Sequence, residues 1–248
     1  MSDQTNWYRT FFNGLFLKLW AGAIPEDYTA AEIRFIKDVT SLAATSKILD
    51  VPCGYGRHSI AFAQEGHDVT SIDIAETYIE ELQDIALIQE LPISAIQADI
   101  LEYHLKGEFD LAVCLGNSFS YFSYYPMLQF ARKVCNVLKE GGIFLIHTGA
   151  LAESLLPSLK ENEWVQVKDM LFLTRRIYHP VESILQCDYS IIRQEQREDK
   201  TAYQYIFTLG EVRRLLTEAG FTQIEQYNGF EKLPYKLGDR QVYLVAKK

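Results

Sequence analysis

One stretch, residues 47–73, constrains the fold more than any other: K-I-L-D-V-P-C-G-Y-G-R-H-S-I-A-F-A-Q-E-G-H-D-V-T-S-I-D. Ile48, Leu49 and Val51 read as a buried strand, Gly54 and Gly56 as a tight turn, and Ile60, Ala61 and Ala63 as the opening of a helix that Gly66 ends. A second strand closes at Ile72, with Asp73 at its carboxyl end. Open α/β sheets bind ligands at that edge. Glycines in the first turn let the backbone approach a ligand, the amides that open the helix favour a negative group, and the acid at the next strand end can accept both hydroxyls of a ribose. The pattern implies a nucleoside cofactor.

A dinucleotide fingerprint, G-x-G-x-x-G/A, carries a third small residue where helix and strand pack around a pyrophosphate. That place is Ser59 here. The segment D-V-P-C-G-Y-G, followed by an acid nineteen residues after Gly54, resembles the first two motifs of the class I S-adenosylmethionine-dependent methyltransferases, and D-V-P-C-G-Y-G-R-H-S looks like their small-molecule branch. The resemblance implies an α/β, Rossmann-like fold: a mainly parallel seven-stranded sheet whose antiparallel last strand lies between the fifth and sixth. It assigns Asp50, Cys53, Gly54 and Gly56 to the methionine part of the cofactor and Asp73 with Ile74 to the ribose. Asp99 and Ile100, after a short strand at 93–98, fall to the adenine.

Bulk properties narrow the partners. With 24 basic and 33 acidic residues the formal charge is −9, so a phosphate backbone is repelled on average and nucleic acid is not expected. Apolar residues make up 48% of the 248, ample for a core. Cys53, Cys114, Cys135 and Cys187 form no C-x-x-C pair, which argues against a zinc site and a disulfide framework. With neither a signal core nor an 18-residue apolar span, the expectation is a soluble, cytoplasmic protein with no membrane partner, a monomer or homodimer.

Along the chain, Tyr8, Phe11, Phe12, Leu15, Phe16 and Leu19 recur at helical spacing between Trp7 and Trp20 and give an aromatic face. In the resembling family the amino-terminal helices close over the cofactor, which assigns residues 1–46 to that cover and makes Tyr8 a candidate contact. Thr29 and Glu32 spell a capping box. Residues 75–89 predict a crossover helix and 109–115 the fourth strand. By the resemblance Leu115, Gly116 and Asn117 then lie beside the transferred methyl group. Nucleobase amine methyltransferases place two prolines and an aromatic after this Asn or Asp; Ser118 and Phe119 stand here. His147, at the end of a fifth strand over 143–146, is a candidate base or a hydrogen-bonded wall residue.

From 163 to 207 the pattern changes to alternation: Leu185, Cys187, Tyr189 and Ile191 share one face, Gln186, Asp188 and Ser190 the other. This predicts an antiparallel sheet inserted at 151–207, between the core segments 47–150 and 208–248, as a substrate cap or dimer surface. It resembles the insertion of glycine N-methyltransferase-like and amino-sugar N-methyltransferase enzymes. Tyr178 and Tyr205 from this insertion join His147 and Asn117 as candidate catalytic groups. Thr208 and Glu211 spell a second capping box. The expected activity is methyl transfer from S-adenosylmethionine to nitrogen or oxygen of a small soluble molecule. A non-catalytic cofactor-binding regulator and a nicotinamide-dependent oxidoreductase are the alternatives.

Overall fold

The structure is a computed structural model that describes residues 6–248. The aromatic amino terminus forms two helices, α1 (Tyr8–Phe11) and α2 (Leu15–Ala23), where the spacing predicted one continuous face. The break is at Gly14, with φ +63°: a Cβ there would fall 2.5 Å from the Glu198 carboxylate, which accepts the Leu15 amide at 2.7 Å. Glycine is the residue that fits this backbone and this approach.

Helix α3 (Glu26–Thr40) starts after Pro25, which acts as its N-cap. Thr29 and Glu32 therefore lie inside the helix, and the capping box expected there does not exist. Glu32 is fully buried instead.

The chain then alternates: β1 (Lys47–Asp50), α4 (Arg57–Gln64), β2 (Asp68–Asp73), α5 (Glu76–Ile88), β3 (Ile93–Gln97), β4 (Phe109–Cys114), α6 (Tyr124–Val137) and β5 (Leu138–Thr148). These five strands are parallel, in the order β5-β4-β1-β2-β3. Buried on both faces, β1 and β4 read as near-continuous apolar runs.

After a short helix, α7 (Ala152–Leu155), the alternating segment makes a four-stranded antiparallel meander of β6 (Asn162–Val167), β7 (Met170–His179), β8 (Ile184–Arg193) and β9 (Gln196–Tyr205). Helix α8 (Leu209–Ala219), β10 (Gln223–Asn228), β11 (Leu233–Pro234) and β12 (Val242–Lys247) complete the large sheet. Strand β12 lies antiparallel between β5 and β10, the arrangement that the resemblance implied. The sheet has eight strands rather than seven, because the chain after Gly229 (φ +76°) turns back and pairs two residues of β11 with Tyr227 and Asn228.

The inserted sheet shares its core with the rest of the fold. Phe16 packs against Phe172 and Tyr189, and Trp20 against Phe172, so α2 is sandwiched onto the meander. Lys200 on β9 donates to the carbonyls of Phe11 (2.5 Å) and Asn13 (2.9 Å). Among the described residues no helix is long and apolar enough to cross a membrane.

The capping box at Thr208 forms as expected: its hydroxyl accepts the Glu211 amide and Glu211 accepts the Thr208 amide. Thr208→Ala should cost about 1 kcal/mol of unfolding free energy in urea titrations, and Thr208→Ser should restore most of it.

Candidate active site

The carboxyl ends of the parallel strands open into a cavity of about 650 Å³. Its floor is built by the turn after β1. The Cys53 amide bonds the Ile72 carbonyl at 3.0 Å and the Gly56 amide the Cys53 carbonyl at 3.1 Å, which fixes the turn against β2. Gly54 has φ +55° and open space where a Cβ would stand. Asp73 ties this turn to its own strand end: Oδ2 accepts the Gly54 amide at 2.8 Å and Oδ1 the Ala75 amide at 2.9 Å. Burial pushes the Asp73 carboxyl up, and these amides oppose the shift. Each oxygen keeps a lone pair for a further donor such as a ribose hydroxyl.

Asp99 holds the next strand end. Its Oδ1 accepts the Leu101 amide at 2.9 Å; Oδ2 accepts the Tyr8 hydroxyl at 3.0 Å and pairs with Arg9 at 2.8 Å. Helix α1 thereby closes on this end of the cleft, with the Tyr8 ring edge-on to Phe122 at 5.1 Å. Behind the loop, the Lys133 ammonium donates to the carbonyls of Ile100, Leu101 and Tyr103 at 2.5–2.9 Å, a clamp that the sequence reading missed.

The opposite end starts at Leu115, Gly116 and Asn117, which line the cavity. Gly116 has φ +71° and open space at its Cβ position. Asn117 also takes a left-handed conformation, φ +69°; its amide bonds the His147 carbonyl at 3.3 Å and its Oδ1 accepts the Gly149 amide at 2.5 Å. It thus ties the ends of β4 and β5 together. His147 lines the cavity, but Nε2 bonds Gln241 at 3.0 Å and Nδ1 faces Glu32 at 3.9 Å. Its ring stacks on Tyr243. Burial lowers its pKa, with Glu32 opposing, which favours the neutral imidazole.

Glu32 is the hub behind this wall. Its carboxylate pairs with Arg57 at 2.7 Å, His58 at 2.8 Å and the Tyr243 hydroxyl at 2.8 Å, joining α3, α4 and β12. Burial alone would raise its pKa, but His58, Arg57 and His147 hold it well below the ordinary carboxylate range. The capping-box pattern explained Glu32 away in the sequence, and Arg57 and His58 stood there only within the segment that carries the family resemblance.

Four candidates sit elsewhere. Asp50 is buried behind the cavity wall, where its Oδ2 accepts the Ser59 hydroxyl at 2.6 Å; it shapes the turn from behind. Gly56 is also off the wall, and a Cβ on it would lie 2.5 Å from Leu82, so it serves helix packing. Tyr178 packs with Ala150, Leu185 and Ile206 beyond the cleft. Tyr205 alternates with Ala202 and Gln204, which do line the cavity, and so falls on the other face of β9. Cys53, Gly54, Asp73, Ile74, Asp99, Ile100, Leu115, Gly116, Asn117, Tyr8 and His147 all line it.

A family model described as a methyltransferase domain matches residues 48–142. A glycine/sarcosine N-methyltransferase from Parasynechococcus marenigrum is 31% identical over 226 residues, covering 87% of this chain and 75% of that protein. The chain belongs to the class I S-adenosylmethionine-dependent methyltransferases. A second glycine/sarcosine N-methyltransferase, from Aphanothece halophytica, is 26% identical over 227 residues, 86% of this chain and 80% of that one. In fold, the methyltransferase matches an S-adenosylmethionine-dependent methyltransferase from Clostridium acetobutylicum (TM-score 0.79, 14% identity, 94% and 96% of the chains). It also matches an amino pentose methyltransferase from Micromonospora echinaspora (TM-score 0.72, 16% identity, 96% and 99%). The cofactor is S-adenosylmethionine, and the wall fits it: two left-handed glycines face open space at the adjoining ends of β1 and β4, and Asp73 keeps acceptor capacity at the next strand end, that of β2.

Asp73→Ala should weaken S-adenosylmethionine binding by about 10- to 100-fold in calorimetry, because it removes a charged acceptor and unties Gly54. Glu32 supplies stability that is present above about pH 5 and is lost as pH falls toward its depressed folded-state value. Glu32→Gln should therefore cost about 3 kcal/mol at pH 7. In urea unfolding at stepped pH, its deficit against wild type should shrink from pH 5 to pH 3; a constant deficit would assign the loss to packing alone.

Proposed function

We propose that this methyltransferase acts on the nitrogen of a small amine, held between the Asn117 end of the cleft and the cavity-facing side of the inserted sheet. One observation carries the reading. The nucleoside-binding groups and a second polar wall, Asn117, Gln204 and Gln241, open onto the same cavity, with aromatic rings from α1 and β8 between them and solvent. Nitrogen rather than oxygen is supported by the names of the two glycine/sarcosine N-methyltransferases.

Bound there, S-adenosylmethionine supplies an electrophilic methyl on a sulfonium, which an in-line lone pair displaces to leave the thioether. The chain's own part is alignment and exclusion of water. Gly54, Asp73 and Asp99 hold the nucleoside end, and Tyr8 closes over it. Asn117, fixed by the Gly149 amide, presents its side-chain NH₂ edge to the acceptor end. His147 orients Gln241 rather than taking the proton, since its Nε2 is engaged and its Nδ1 is turned to Glu32. The amine attacks in its neutral form, having left its ammonium proton in solvent, and the methylated product leaves as the ammonium that the displacement forms. The four cysteines are free and buried, which supports a reducing, cytoplasmic setting.

Incubation with methyl-labelled cofactor and a panel of small amines tests this. Asn117→Ala should lower turnover tenfold or more while the cofactor dissociation constant stays within about threefold. Tyr178→Phe and Tyr205→Phe should change neither. Label appearing on hydroxyl acceptors and on no amine would overturn the nitrogen assignment.

A further inference from the structure

The acceptor end of the cavity has a charge bias opposite to that of the chain as a whole. Among the described residues only two carboxylates line the cavity, Asp73 and Asp99, both at the nucleoside end. Three arginines line it too: Arg57, Arg176 and Arg240. Two are neutralised from behind, Arg57 by Glu32 at 2.7 Å and Arg176 by Glu163 at 3.0 Å. Arg240 makes no ion pair and no side-chain hydrogen bond among the described residues, although the net charge of −9 leaves the protein rich in carboxylates.

The fold places Arg240 deliberately at this rim. Its carbonyl packs so closely on Gly149 that a Cβ there would lie 2.6 Å away. The next residue, Gln241, is bonded to His147, and Gly149 is bonded to Asn117. The loop between β11 and β12 is thus pinned to the ends of β5 and β4, and Arg240, without an ion pair among the described residues, shares the cavity wall with the groups read as facing the acceptor. A planar fork of donors suits a carboxylate or phosphate bidentately, and Arg240 is exposed at the rim, where an entering ligand can reach it.

We infer that the acceptor carries an anionic group, a carboxylate or a phosphate, that seats on Arg240 while its nucleophilic atom stands beside Asn117. This rests on the acceptor end assigned above, so cofactor binding is measured first and separately. The protein is saturated with S-adenosylhomocysteine and titrated with acetate and with inorganic phosphate, following the fluorescence of Trp7 on the cavity wall and calorimetric heat. One anion should bind saturably, the tighter of the two naming the group, and Arg240→Gln should weaken it tenfold or more without moving the S-adenosylhomocysteine constant. Raised ionic strength should compete. In methyl transfer, glycine or phosphoethanolamine should then be preferred over ethanolamine. Absence of saturable anion binding, equal binding by Arg240→Gln, or ethanolamine methylated as efficiently as the anionic amines would overturn the inference. Failure to bind S-adenosylhomocysteine would instead overturn the cofactor site on which it rests.

Discussion

The Asp73 carboxylate is the constraint from which the cleft follows. One oxygen takes the Gly54 amide and the other the Ala75 amide, so a single side chain sets the distance between the glycine turn and the end of β2. A buried carboxylate is tolerated only when its lone pairs are used, and here backbone donors use part of that capacity and leave the rest for a ligand. The open space at the Gly54 Cβ position lies on the same floor. The turn is therefore rigid where it contacts the protein and vacant where it faces the cavity, as a preorganised site requires.

The second organising interaction is the Glu32 cluster. A charge buried completely is expensive unless paired, and Glu32 is paired with Arg57, His58 and Tyr243. These partners come from α4 and β12, so α3 is locked to the cofactor helix and to the last strand of the sheet. The same cluster sets the electrostatics of the cavity wall, holding His147 near a negative charge while burial favours its neutral form. On the other side, Glu198 and Lys200 of β9 fix the Gly14 break and the carbonyls around it. The amino-terminal helices thus roof the cleft through polar contacts at both ends, with aromatic packing between. The inserted sheet belongs to the same core as these helices.

What the sequence by itself determined was local and periodic. The strand, glycine turn, helix, strand and acid of residues 47–73, the alternation through the meander and the Thr208 capping box are each set by neighbours a few residues apart. The class of cofactor followed from them, because Gly54, Asp73 and Asp99 stand at strand ends whatever the rest of the chain does. Where side chains pointed was a different matter. Tyr205 and Gln204 are adjacent in sequence, yet only Gln204 reaches the cavity, because the face of β9 that turns inward depends on how the meander docks. Asp50 belongs to the motif but serves the turn from behind. The roles of Glu32 and Lys133 carried no local signal, since their partners lie tens of residues or more away. Only the tertiary structure could pair Glu32 with Tyr243, set Lys133 on the carbonyls of the Asp99 loop, or bring Arg240 against Gly149 at the rim. Burial and charge compensation are properties of the assembled core, and the spacing of residues along a chain does not encode them.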